Sequence, residues 1–213
     1  MGRFRYAGSV AIMGLALGLT SVQGAHAAVV ISDNFAGTPQ ANWPGDATFI
    51  SVPPPGNTQG LPSVDLVGPG FFPQLAPATG GNAVDLDGST GSGNHPAGDI
   101  TSIKFLAPGN YSVQFLLAGN LRGATPETTE VCIGLQCQAF TPANDQPYTP
   151  YNLTFTNAFG NVSFFDNGPS DQIGNLLADV VVTAPGPNVG EGLLGFAAMS
   201  ALLIAVRCRG LIV

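Results

Sequence analysis

The chain has 213 residues, among them 29 Gly and 18 Pro, with only 9% charged side chains and a net charge of −7. Lys104 and Arg122 are the only cations between Ala28 and Ala184, against 12 Asp and Glu, which excludes a surface built to grip nucleic-acid phosphates. Enough Val, Ile, Leu and Phe remain in that stretch to argue against disorder, and its length suits one domain and not two.

The first 27 residues read as a secretory signal peptide. Arg3 and Arg5 give a positive start, Val10 to Leu19 an apolar segment, and Ala25-His26-Ala27 a small-residue cleavage site. The mature protein is expected to begin near Ala28 and to be exported.

From there the pattern alternates apolar and polar residues in short runs broken by Gly, Pro, Asn and Asp. The runs predict strands over Val29 to Phe35, Ala47 to Val52, Ser63 to Val67, Ala83 to Asp87, Ile100 to Leu106, Tyr111 to Ala118, Thr128 to Ile133, Gln136 to Thr141, Tyr148 to Thr156, Asn161 to Phe165 and Leu176 to Thr183. The prolines of Pro53 to Pro62 make a loop, because Pro cannot donate to a central ladder. So many short strands in one domain imply an all-β fold, an antiparallel two-layer β-sandwich of the jelly-roll kind. The expected division is a signal helix over 1–27, an extracellular sandwich over 28–184 and a C-terminal segment with a hydrophobic helix over 185–213.

Cys132 and Cys137 flank Gly134 in a presumptive hairpin, and an exported chain allows them to pair, the other reading being two free thiols. Enzyme motifs are missing. His95 is the only histidine after the signal peptide, no G-x-S-x-G or H-E-x-x-H occurs, and the GSTGSG run from Gly88 lacks a phosphate-binding lysine. Asp85, Asp87 and Asp171 are read as turn or loop acids in preference to a glycosidase pair, so the protein is not expected to be an enzyme.

The C-terminus carries the clearest message. Pro185-Gly186-Pro187 is followed by the apolar run Leu193 to Val206 and then by Arg207-Cys208-Arg209. Fourteen helical residues span about 21 Å, short of a hydrocarbon core of about 30 Å, so a lasting span is marginal. The arginines place the extreme C-terminus in the cytoplasm and the domain outside. This order of elements resembles the PEP-CTERM family of bacterial surface proteins, although Gly186 stands where that family has a glutamate. The resemblance implies processing by a membrane-embedded exosortase and delivery to the cell surface or extracellular matrix; a simple retained anchor is the alternative.

Within the domain, Val84-Asp85-Leu86-Asp87-Gly88-Ser89-Thr90-Gly91, Asp171-Gln172-Ile173-Gly174 and the run Leu176 to Val180 resemble galactose-binding-like jelly rolls. That resemblance implies a carbohydrate-binding-module-like fold and, as partner, an extracellular polysaccharide. Recognition in such modules uses aromatic faces and hydrogen-bonding edges, which makes Trp43, Tyr148, Tyr151, Asn120 and Arg122 candidates, with Phe71 and Phe72 behind them. Trp43 is alternatively a lid of the core, and Arg122 an internal ion-pair partner. Calcium is a candidate cofactor if Asp33 on the first strand and Asp179 on the last meet; otherwise Asp179 points to solvent. The alternative to a polysaccharide binder is a structural or adhesive surface protein without a small ligand.

Overall fold

The computed structural model describes residues 26–52, 64–78, 80–88, 98–123, 125–168 and 171–186. They belong to one compact unit, His26–Gly186. The expected signal helix, the proline loop at Pro53, His95 and the tail with Pro187, Arg207 and Arg209 lie outside the described residues, while Pro185 and Gly186 close the unit.

Among the described residues eleven strands form: β1 Ala28–Asp33, β2 Phe49–Val52, β3 Asp65–Val67, β4 Ala83–Asp85, β5 Asp99–Ser102, β6 Leu106–Ala118, β7 Thr129–Ile133, β8 Gln136–Phe140, β9 Thr149–Gly160, β10 Val162–Asp166 and β11 Leu176–Ala184. A 3-10 turn, Pro73–Leu75, interrupts them, and no helix among the described residues is long and apolar enough to cross a membrane. All pairings are antiparallel. One sheet has the order β3-β4-β11-β6-β9, with β1 also on β11, and the other the order β2-β5-β10-β7-β8.

The alternation written in the sequence is what turns these sheets toward each other. Val113, Phe115 and Leu117 of β6, Leu153 and Phe155 of β9, and Leu177, Val180 and Val182 of β11 face Phe49, Ile100, Val131, Ile133, Val162 and Phe164 of the other sheet in one buried cluster. Phe115 touches Phe164 edge-on across the layers, with ring centroids 5.4 Å apart. Burying side chains of this size contributes roughly 1.5–3 kcal/mol each, which is the main force holding two twisted sheets together.

A smaller cluster of Val67, Leu75, Ala83, Ala118, Leu176 and Ala178 lies apart from this core, with Phe71 and Tyr148 packed against it. On β11 the inward positions run Leu177 and then Val180 and Val182, so the two-residue period slips by one. The slip is a β-bulge between Ala178 and Val181 in the pairing with β6, and Asp179 takes up the extra residue at φ 48°. The disulfide Cys132–Cys137 joins β7 to β8 at directly opposed positions.

Candidate functional site

Most of the residue types singled out for sugar contact are built into the framework. Trp43 is only 3% exposed and meets Phe35 edge-on. Its turn is folded back over β3 by Trp43 N–H donating to the Val64 carbonyl and Asn42 N–H to the Asp65 carboxylate, both at 2.8 Å, so the indole closes the core instead of facing solvent. Asn120 is buried; its amide donates to the Thr125 carbonyl and its oxygen accepts from Arg122 N–H. Arg122 pairs with Asp85 at 2.7 Å and also donates to the carbonyl of Gln172, which makes it a clasp between loops.

Tyr148 donates its hydroxyl to the Leu75 carbonyl and covers the small cluster. Burial pushes its ionisation upward, followed by the Asp85 charge, so it stays a neutral donor. Tyr151 lies flat on Phe115, with Phe140 against it edge-on, and its oxygen accepts from the Gln146 amide.

The proposed calcium pair does not come together either. Asp33 stands opposite Val180, whose side chain is in the core, while Asp179 next to it is exposed. Residues directly opposite one another share a sheet face, so the two carboxylates are on opposite sides of the sheet. Asp33 instead accepts from Phe35 N–H at 2.7 Å, and burial, then the charge of Asp46, raises it to about 6. Among the described residues, the one set of three Cys, His, Asp or Glu ligand atoms within 4.8 Å of one another is Glu130, Cys132 and Cys137. Two of its members are the disulfide sulfurs, which have no thiolate to offer a metal.

The bulge on β11 does make a site. Asp179 projects into a depression of about 410 Å³ on the six-stranded sheet, lined also by Gln114, Phe115, Leu116, Pro150, Tyr151, Asn152 and Val181. Register explains the grouping. Gln114 of β6 is paired with Asn152 of β9 on one side and with Val181 of β11 on the other. Ser112 donates to the Asn152 oxygen at 2.6 Å, which fixes that amide and leaves its N–H groups to donate elsewhere. A carboxylate, two amides and a proline thus converge beside Leu116 on the outer face, while the rings of Phe115 and Tyr151 lie on the core side, and Asp179 is held there in a left-handed conformation unusual outside glycine.

A second depression, of about 360 Å³, was not expected from the sequence. Phe105, Leu135 and Phe159 rim it, 62, 97 and 55% exposed, over Thr101, Asn161 and Ser163. Two turns hold it. Gly134 between β7 and β8 has φ 57°, and a Cβ there would fall 2.1 Å from the Phe159 carbonyl oxygen, so only glycine lets the turns close. Its sequence signal was a large apolar residue beside each of two glycines, Leu135 after Gly134 in the β7–β8 turn and Phe159 before Gly160 at the end of β9.

No protein-family model matches the chain. No curated protein matches it either. Among solved structures it is similar to the K1 cleaved adhesin domain of Lys-gingipain from Porphyromonas gingivalis W83, at 13% identity and TM-score 0.51, over 70% of this chain and 100% of that one. It is also similar to the K3 cleaved adhesin domain of the same protein, at 16% identity and TM-score 0.47, over 74% and 100%. A family 35 carbohydrate binding module from Clostridium thermocellum matches at 14% identity and TM-score 0.36, over 68% and 98%. At this identity the likeness to the K1 domain is one of fold alone, a β-sandwich.

Proposed function

We propose that the chain is an exported binding module that holds a polysaccharide on the open face of its six-stranded sheet and catalyses no reaction. The signal peptide over 1–27 and the tail over 185–213, handled by an exosortase-like enzyme, would deliver it to a bacterial surface or extracellular matrix. One observation carries the reading: the β11 bulge presents Asp179 beside Gln114 and Asn152 over an apolar floor. A carboxylate and two amides are the groups that hydrogen-bond vicinal hydroxyls, and Pro150 with the opposed Leu116 offers apolar surface for the C–H face of a sugar ring.

A glycan array probed with the full-length chain tests this. Saturable binding that weakens about tenfold in Asp179→Asn and in Gln114→Ala is expected, since one hydrogen bond to a charged or amide group is worth about 1–2 kcal/mol. A blank array would instead favour the second reading, a structural or adhesive surface protein. The exposed Phe105, Leu135 and Phe159 favour that one, as an apolar contact surface. The tail is tested by the mass of the mature C-terminus: loss of everything after about Pro187 is expected for sorting, and retention of Arg209 marks a simple anchor.

A further inference from the structure

At the loop end where β4 finishes, β7 starts and β10 hands over to β11, the interior is acidic and uncompensated. Glu127, just before β7, is 0% exposed, and neither of its carboxylate oxygens has a hydrogen-bond partner. Asp166 closes β10; its Oδ1 accepts from Gly168 N–H at 2.8 Å and its Oδ2 is buried and unpartnered. Asn175, also 0% exposed, spends its amide N–H groups on the Glu127 carbonyl at 3.0 Å and the Thr129 hydroxyl at 2.9 Å, which leaves its Oδ1 without a donor.

Four of the eight unpartnered buried side-chain polar atoms among the described residues are therefore here, and all four are oxygens that can only accept while the acids are ionised. Buried oxygens without donors are rare, because their lost hydration is not returned.

Two glycines let the two carboxylates close in. A Cβ on Gly168 would lie 1.2 Å from Glu127 Oε2 and 3.0 Å from Asp166 Oδ1, so both carboxylates close on the same short stretch of backbone. A Cβ on Gly174 would lie 2.9 Å from Asp166 Oδ2. Among the described residues no side-chain cation is at hand, because Arg122 is committed to Asp85 and Lys104 donates to the Val30 carbonyl. The nearby charges are negative. After burial, Asp171 and Asp87 act on Glu127, and Glu127, Asp87 and Asp171 on Asp166.

We infer that Glu127, Asp166 and Asn175 form a divalent-cation site suited to calcium. Every donor is a hard oxygen, with no imidazole or thiolate to favour zinc. The two carboxylates and the amide leave room for backbone carbonyls and water, which calcium accepts in a flexible shell of six to eight ligands, whereas magnesium demands a stricter octahedron. The ion ties together the segments entering β7 and β11 and leaving β10, and so locks the loop end of the sandwich. This assignment is independent of the polysaccharide reading, whose residues lie on the sheet face.

The test is calorimetric titration of the EDTA-stripped full-length chain with CaCl2, together with thermal unfolding with and without the ion. One calcium per chain and a raised Tm are expected. Glu127→Gln removes a buried charge without changing shape, so it should unfold no lower than the metal-free wild type, yet bind calcium at least tenfold more weakly and lose the Tm response. Asp166→Asn is expected to do the same. A wild-type chain with no calcium heat and no Tm change overturns the site. So does an undiminished calcium response in both variants, which would put the ion elsewhere, as at Asp33 and Asp46. An equal response to MgCl2 overturns the assignment to calcium.

Discussion

Tyr151 lies nearly parallel to Phe115, with ring centroids 5.5 Å apart and planes 12° apart, at the point where β9 crosses the end of the core. One face of the phenol is thereby spent on the sandwich itself, and its oxygen is engaged by Gln146. Tyr151→Ala is expected to cost about 2–4 kcal/mol of unfolding free energy in urea, as removal of a packed aromatic does, and Tyr151→Phe about 1 kcal/mol. If glycan binding is lost in Tyr151→Ala but kept in Tyr151→Phe, the ring supports the site from beneath; loss in both assigns the hydroxyl to the ligand.

The ion pair of Arg122 with Asp85 sets a second expectation. Asp85 is buried, and it also accepts from Gly174 N–H at 3.0 Å, so the pair pins the approach to β11. Desolvation pushes the Asp85 carboxyl well above the usual range, and the Arg122 charge opposes that. Arg122→Ala should destabilise by about 3–5 kcal/mol, because it abandons a buried acid, and the further change Asp85→Asn should recover a good part of that loss. Chemical denaturation of the two variants measures both.

Asp99 gives the chain a pH dependence. Its carboxyl is raised from 3.8 to about 7 by burial, and its Oδ1 has no partner. The folded state holds this proton to higher pH than the unfolded chain does, so between about pH 4 and pH 7 stability falls as pH rises, and above that the loss is complete. The contribution is on the order of 2 kcal/mol once partial exposure is allowed for. Asp99→Asn should match the wild type near pH 3 and be more stable by that amount at pH 8; equal stability of the two proteins at pH 8 would contradict it.

All eleven strands were legible because period-2 alternation is the direct requirement of a two-layer sandwich. The misreading was local. Pro108-Gly109 looked like a break, yet β6 runs through it, with register shifts on either side of Gly109. Pro108 is tolerated there because that stretch is paired with β9, while pairing with β11 begins only at Ser112. Of the two readings of Trp43 the core lid is the one the structure has, fastened by a turn held to β3 more than twenty residues away. The Glu127 cluster was not legible. Its members come from the approach to β7 and from the two ends of the β10–β11 connection, and nothing in the spacing of Glu127, Asp166 and Asn175 announces that they share an interior. The bulge did leave a trace: in Leu177-Ala178-Asp179-Val180-Val181-Val182 no strict alternation buries both Leu177 and Val182.

β11 is the last strand among the described residues and also the one on which β1, β4 and β6 all depend for a neighbour. The six-stranded sheet therefore cannot close while the chain is still being synthesised or threaded, until residues 176–184 have emerged. Until then β1 and β4 have no partner along those edges, and the two ends of the domain must find each other across its whole length, a long-range closure of the slow kind. A chain truncated before Leu176 would leave the sheet without its central strand, and β4 and β6 without the neighbour that joins them.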